Sequence, residues 1–72
     1  MNKARRKAIQ DALSKVEDIL QDILSDEQDA FDNMPESLQE SENGLISKDA
    51  QENLESAIES LEDAISYLEE IV

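Results

Sequence analysis

A seven-residue repeat in the last third of the chain is the feature that most limits its fold. Three successive blocks read Leu-Glu-Ser-Ala-Ile, Leu-Glu-Asp-Ala-Ile and Leu-Glu-Glu-Ile-Val, and they begin at Leu54, Leu61 and Leu68. In this register leucine occupies heptad position a, alanine mostly d, and a branched residue e. Three apolar positions in seven form a broad stripe, which is typical of helices in a bundle.

The first half of the chain carries the same kind of spacing. Apolar residues recur at alternating intervals of four and three: Ile9, Leu13, Val16, Leu20 and Ile23. This pattern predicts an amphipathic helix over about residues 2–33. Glu27 falls at the next a position and interrupts the predicted seam, where a carboxylate either reaches solvent or fixes the register.

The only proline and the only glycine lie between the two patterns. Pro35 disfavours helical geometry at the residue before it and is suited to open a short helical turn. Asn43-Gly44 is suited to end that turn in left-handed geometry. The next helix is then expected to begin at Ser47, or at Asp49 with Glu52 completing a capping box.

These elements predict one all-α domain over residues 1–72, an antiparallel two-helix hairpin. The second helix spans about 47–71, and the connection, about 34–46, contains the short helical turn.

Basic residues at the start of the first helix oppose its dipole. An antiparallel arrangement removes this conflict by bringing them to the acidic end of the second helix. The basic residues are Lys3, Arg5, Arg6 and Lys7, and the acids are Glu62, Glu69 and Glu70.

A lone hairpin would leave part of each broad stripe in water. We expect the following residues to form an exposed apolar face: Ile19, Leu24, Phe31, Ile58, Ile65 and Val72. Such a patch is larger than soluble monomers usually expose. We therefore predict that two hairpins associate through it into a four-helix bundle, a homodimer. The alternative is that this face binds another protein.

The composition excludes most catalytic and metal chemistry. The chain has no histidine and no cysteine, and so lacks the usual general base and the commonest ligands of transition metals. Asp29 to Glu40 has the length of a calcium loop, but Phe31 stands at the third ligand position and Met34 where the turn needs glycine. We expect a non-enzymatic protein with no catalytic residues, no cofactor and no metal.

Nineteen acidic residues against six basic ones give a formal charge of −13. This charge argues against direct binding of nucleic acid or anionic membranes, and in favour of a basic protein partner. No apolar run approaches the roughly 18 residues of a membrane span, so we expect a soluble, cytoplasmic protein. Glu55, Glu59 and Glu62 share one helical face and form a candidate acidic surface. Such rows either imitate DNA phosphates or keep a bundle soluble.

The chain resembles the small uncharacterised acidic proteins encoded by phages and mobile elements of Gram-positive bacteria. The resemblance rests on Met1-Asn2-Lys3-Ala4-Arg5-Arg6, on Phe31-Asp32-Asn33-Met34-Pro35-Glu36-Ser37-Leu38-Gln39, and on the Leu-Glu-x-Ala-Ile repeats. It implies a regulator or inhibitor of a host protein. It also makes the turn residues Asn33, Met34, Pro35 and Leu38 a candidate interaction site. In the alternative interpretation, Met34 and Leu38 simply cover the end of the bundle.

Taken together, these patterns predict a protein–protein interaction module whose partners are a second copy of itself and an unidentified, basic protein. The alternative is a DNA-mimic inhibitor that uses its acidic helical surface to block a nucleic-acid-binding protein.

Overall fold

The computed structural model describes residues 1–71 and confirms the all-helical hairpin. Helix α1 spans Lys3–Asp32, a single-turn helix α2 spans Glu36–Gln39, and helix α3 spans Glu42–Glu69. The long helices α1 and α3 pack against each other, so the chain forms a rod of 55 × 15 × 11 Å. Within the described residues, no helix is long and apolar enough to cross a membrane.

Helix α1 begins and ends where the sequence predicts. Asn2 caps its first turn, because the side-chain Oδ1 accepts a hydrogen bond from the backbone N–H of Arg5 at 2.8 Å. The last helical residue is Asp32, and Pro35 serves as the N-cap of α2. The predicted helical turn in the connection is therefore present.

The predicted start of the second long helix at Ser47 or Asp49 is wrong, because α3 begins at Glu42. Gly44 lies inside α3 and its φ is not positive, so the left-handed geometry expected there is absent. The glycine serves a different purpose. A Cβ on Gly44 would lie 1.9 Å from the backbone oxygen of Gln39, so only a residue without a side chain lets α3 start this close to α2.

Helices α1 and α3 meet along a line of buried or half-buried residues that we call the seam. On α1 the seam consists of Arg6, Gln10, Leu13, Glu17, Leu20, Leu24, Glu27 and Phe31. On α3 it consists of Gly44, Ser47, Gln51, Leu54, Ile58, Leu61, Ile65 and Leu68. Both lists alternate steps of three and four, as expected for two long helices packed nearly side by side.

Two long-range hydrogen bonds fix the antiparallel register. The Arg6 guanidinium donates to the backbone oxygen of Ile71 at one end of the rod. Near the turn, the Ser47 hydroxyl donates to Glu27 Oε1 at 2.7 Å. The positive charge of Arg6 thus reaches the C-terminal end of α3, where helix carbonyls concentrate negative potential. The other predicted neighbours differ, because Lys7 forms its ion pair with Asp11 of α1 and Glu62 lies beside Glu17.

The structure corrects the predicted register of both helices. In the repeats of α3, leucine and isoleucine occupy the seam and the alanines lie beside it, because this rotation places the larger side chains between the helices. On α1, Leu13 and Leu20 occupy the seam as predicted, whereas Ile9, Val16 and Ile23 are exposed. Gln10 and Glu17 take seam positions in their place.

Candidate interaction faces

The antiparallel geometry gives the hairpin two distinct broad faces. Each residue turns about 100° around a helix axis. Because α1 and α3 run in opposite directions, residues that follow seam positions point to one side of the hairpin on both helices. Residues that precede seam positions point to the other side. Lys7, Asp11 and Glu69 all follow seam positions, and they line one shared depression, as this geometry requires.

The face formed by residues that follow the seam is strongly acidic, and we call it the acidic face. It comprises Lys7, Asp11, Ser14, Asp18, Gln21, Ser25, Gln28 and Asp32 of α1, and Leu45, Lys48, Glu52, Glu55, Glu59, Glu62, Ser66 and Glu69 of α3. All sixteen positions are exposed. Eight carboxylates against two ammonium groups give this face a formal charge of −6. The predicted candidates Glu55, Glu59 and Glu62 all lie on it.

Like charges meet across the middle of this face. Glu17, a half-buried seam residue, has its pKa raised above the usual range by desolvation, by a hydrogen bond with the Glu62 carboxyl, and by the negative charges of Glu62 and Asp18. A neighbouring negative charge disfavours the ionised form of a carboxyl group, which is why the pKa rises. The middle of the acidic face is therefore a place where positive charge is favoured.

Cations stand at the two ends of the acidic face. At the open end of the hairpin, Lys3, Arg6, Lys7, Gln10, Asp11 and Glu69 line a depression of about 470 Å³. Lys7 Nζ donates to Asp11 Oδ2 at 2.9 Å, and this hydrogen bond, with the carboxylate charge, raises the pKa of Lys7. Near the turn, Lys48 Nζ lies 5.4 Å from the centre of the Phe31 ring. The stretch between these ends carries acids alone among its charged groups.

The opposite face is nearly uncharged, and we call it the apolar face. It comprises Arg5, Ile9, Ala12, Val16, Ile19, Ile23, Asp26 and Ala30 of α1, and Asn43, Ile46, Ala50, Asn53, Ala57, Ser60, Ala64 and Tyr67 of α3. One arginine and one aspartate give it a formal charge of zero. Its larger apolar side chains are open to solvent, including Val16 at 44% and Ile19 at 49% exposure.

The residues predicted to form an exposed interface do not share one surface. Ile58 is only 8% exposed and is the buried apolar residue of the described chain, so its predicted exposure is wrong. Leu24, Phe31 and Ile65 are half-buried in the same seam, which leaves Ile19 alone on the apolar face. Val72 lies outside the described residues. The cause is the rotated register, which turns the predicted flank of each stripe toward the other helix.

The predicted turn residues lie at the closed end of the rod. Asn33 is the C-cap of α1 and Met34 is half-buried, whereas Leu38 in α2 is 48% exposed. Gln39 Nε2 donates to the backbone oxygen of Phe31 at 3.0 Å and ties α2 to the end of α1. Met34 therefore covers the end of the seam better than Leu38 does.

The polar part of the seam was not apparent from the sequence as a unit. Ser47 is buried, accepts a hydrogen bond from Gln51 Nε2 at 3.4 Å and donates to Glu27. The only sequence signal was Glu27 at a predicted seam position, and its partners depend on the register of α3.

Within residues 1–71, acidic side chains do not gather into a group of three that could hold a metal ion. No protein-family model, curated protein or solved structure matches the chain.

Proposed function

We propose that the chain is a non-enzymatic interaction module that binds a basic surface of another protein through its acidic face. The observation that supports this proposal is the separation of charge between the two faces, with a formal charge of −6 on one and zero on the other. If acidity served solubility alone, a mixed distribution around the rod would be sufficient.

The arrangement of the carboxylates suits such a role. Glu52, Glu55, Glu59 and Glu62 follow one another along α3 at steps of three and four, so their Cα positions are spaced by about 5 Å along the axis. Asp11 and Asp18 of α1 lie on the same face. A row of like charges on a rigid rod attracts an oppositely charged groove and speeds its association.

The resemblance to phage and mobile-element proteins supports a cytoplasmic target and a regulatory or inhibitory effect on a host protein. The chain offers an extended charged surface and, in residues 1–71, no group of acids arranged for metal binding. Both properties are compatible with action by occupation of a partner's surface.

A DNA-mimic inhibitor is the second candidate, and the uninterrupted acidic row from Glu52 to Glu62 favours it. A mimic must compete for a groove that normally holds a phosphate backbone. The acidic face has a lower charge density than a DNA duplex, which carries about one charge per 1.7 Å of axis. The two candidates differ in the partner they need. A DNA mimic needs a partner that binds nucleic acid, whereas the interaction module needs only a basic surface.

Two triple variants with equal net charge test the proposal. The first combines Glu55→Gln, Glu59→Gln and Glu62→Gln on the acidic face. The matched control combines Asp49→Asn and Asp63→Asn, on the outer side of α3, with Glu70→Gln at its C-cap; all three residues are exposed. Immobilised wild-type and variant chains capture proteins from a Gram-positive bacterial lysate at about 50 mM and about 500 mM salt. Screening weakens exposed charge pairs at the higher salt.

We expect the wild type and the outer triple to capture the same partner at low salt, and the acidic-face triple to lose it. Equal capture by both triples would contradict the proposal, because the position of the charges would then not matter. Duplex DNA added to the low-salt capture separates the two candidates. Release of the partner by DNA indicates a mimic, and retention indicates another basic surface.

A further inference from the structure

The exposed area of the hairpin is larger than a compact monomer of its mass requires. The accessible surface is 5377 Å², whereas a folded monomer of 8.1 kDa is expected to expose about 4,500 Å². The excess of about 900 Å² is close to the roughly 800 Å² that each partner buries in a standard protein–protein interface. Packing in the seam therefore leaves an excess of exposed surface that is about as large as one side of a standard interface.

Electrostatics limits which surface a second copy could approach. Two chains of formal charge −13 repel each other, and the repulsion is strongest where the acidic faces would meet. The apolar face is neutral, since Arg5 and Asp26 are its only charged residues. Contact through this face also keeps the two acidic faces on opposite sides of the assembly.

Side-chain size on the apolar face is complementary between the two helices. Large residues of α1 and small residues of α3 both repeat every seven positions, about 10.5 Å along a helix. The large residues are Ile9, Val16 and Ile23, and the small ones are Ala50, Ala57 and Ala64. When a ridge of large side chains packs on a row of alanines, the distance between the two helix axes stays short and uniform along the whole contact.

The register of the hairpin lines up the ridge and the row. The Arg6–Ile71 and Glu27–Ser47 contacts place Ala57 between Val16 and Ile23 along the rod, and Ala64 between Ile9 and Val16. A twofold axis parallel to the helices keeps each residue level with its own copy. The large residues of one chain then fall between the alanines of the other, as knobs fall into holes.

We infer that a second copy of the chain covers the apolar face, with α1 of each chain packed antiparallel against α3 of the other in a four-helix bundle. This assembly does not depend on the proposed function, because it uses the opposite face of the hairpin. It presents two acidic faces, one on each side.

The oligomeric state tests the occupant. Val16→Glu places a charge at the centre of the apolar face, and Ser14→Glu places the same charge on the acidic face as a matched control. In analytical ultracentrifugation at about 10–100 μM, we expect dimers for the wild type and for Ser14→Glu, and monomers for Val16→Glu. A wild type that sediments at 8.1 kDa throughout this range would overturn the inference.

A second variant separates loss of assembly from loss of folding. Ala57→Glu makes the same test from α3, where the side chain is exposed in the hairpin. We expect monomers that retain the helical circular dichroism of the wild type. An Ala57→Glu chain that remains a dimer would overturn the assignment of this face.

Cysteine pairing tests the arrangement without interference, since the chain has no cysteine of its own. Ile19 and Ala57 lie at about the same level of the rod, so chains carrying Ile19→Cys and Ala57→Cys are mixed and oxidised. We expect this mixed disulfide to form at least about tenfold faster than the disulfide between Ile19→Cys and Ser56→Cys chains. Ser56 is the neighbour of Ala57 but points away from the apolar face. Faster formation of the Ile19→Cys homodisulfide would show α1 packed on α1 and overturn the arrangement.

Discussion

Helices α1 and α3 have nearly equal lengths but use their apolar residues differently. Over its last four turns helix α3 directs its leucine and isoleucine side chains into the seam and keeps Ala57 and Ala64 on the apolar face, whereas Ile46 and Tyr67 near its two ends are exposed on that face. Helix α1 divides its large side chains between the two places, and polar Gln10 and Glu17 occupy seam positions. Consequently, the central part of α3 places its large apolar side chains toward α1 alone, whereas α1 carries large apolar side chains both in the seam and on the apolar face.

This difference shows where the stability of the hairpin resides. The contribution of α3 comes from intrachain packing centred on Ile58. Half of the large apolar side chains of α1, namely Ile9, Val16, Ile19 and Ile23, are 38–49% exposed in the hairpin and contribute fully only when a partner covers them. Substitutions on the two helices are therefore expected to differ both in magnitude and in their dependence on protein concentration.

The largest effect is expected from Ile58→Ala. Removing a buried isoleucine side chain costs about 2–4 kcal/mol, through lost burial and the cavity left behind. Urea unfolding followed by circular dichroism should show this loss at every protein concentration. The matched substitution on α1, Ile19→Ala, removes a side chain that is 49% exposed in the hairpin. Its cost should grow with protein concentration, and an equal, constant loss in both variants would remove the distinction between the helices.

A smaller effect is expected from Gly44→Ala, at the start of α3. The added Cβ would meet the backbone of Gln39, which cannot rotate away, so α2 or the first turn of α3 must shift. We expect a loss of about 1–3 kcal/mol, the range for overpacked sites, even though alanine favours helices more than glycine does. Asn43→Ala, the exposed neighbouring residue, is the control. A gain in stability for Gly44→Ala would show that the close approach is unimportant.

The hairpin itself was predictable because its determinants are local. Heptad spacing on both sides of Pro35 predicts two long helices, and a short connection makes them antiparallel. The acidic row was predictable for the same reason, since Glu55, Glu59 and Glu62 lie on one helical face wherever that face points.

The rotation of the helices was not predictable from these patterns. Helix α1 offers two rows at steps of three and four, one through Ile9 and Val16 and the other through Gln10 and Glu17, and hydrophobicity favours the first. The row through Gln10 and Glu17 is the one that lies in the seam. There the large side chains of α3 provide enough apolar surface to pack against these polar residues. The role of Gly44 was equally hidden, because a close approach to Gln39 depends on where α2 lies.

The smallest effect concerns charge at the α1 side of the seam. The raised pKa of Glu17 means that the folded chain binds a proton more readily there than the unfolded chain does. This contribution to stability is therefore fully present below the ordinary glutamate pKa and is lost as pH rises through the higher folded-state value. Glu17→Gln should raise the thermal midpoint at pH 7.5 and leave it little changed near pH 4. Asp22→Asn, on the exposed outer side of α1, removes the same charge and controls for the general repulsion of an acidic chain. An equal rise of the thermal midpoint in both variants would show that Glu62 is not the source of the effect. Ionised Glu17 in the seam would then destabilise the fold no more than an exposed acid does.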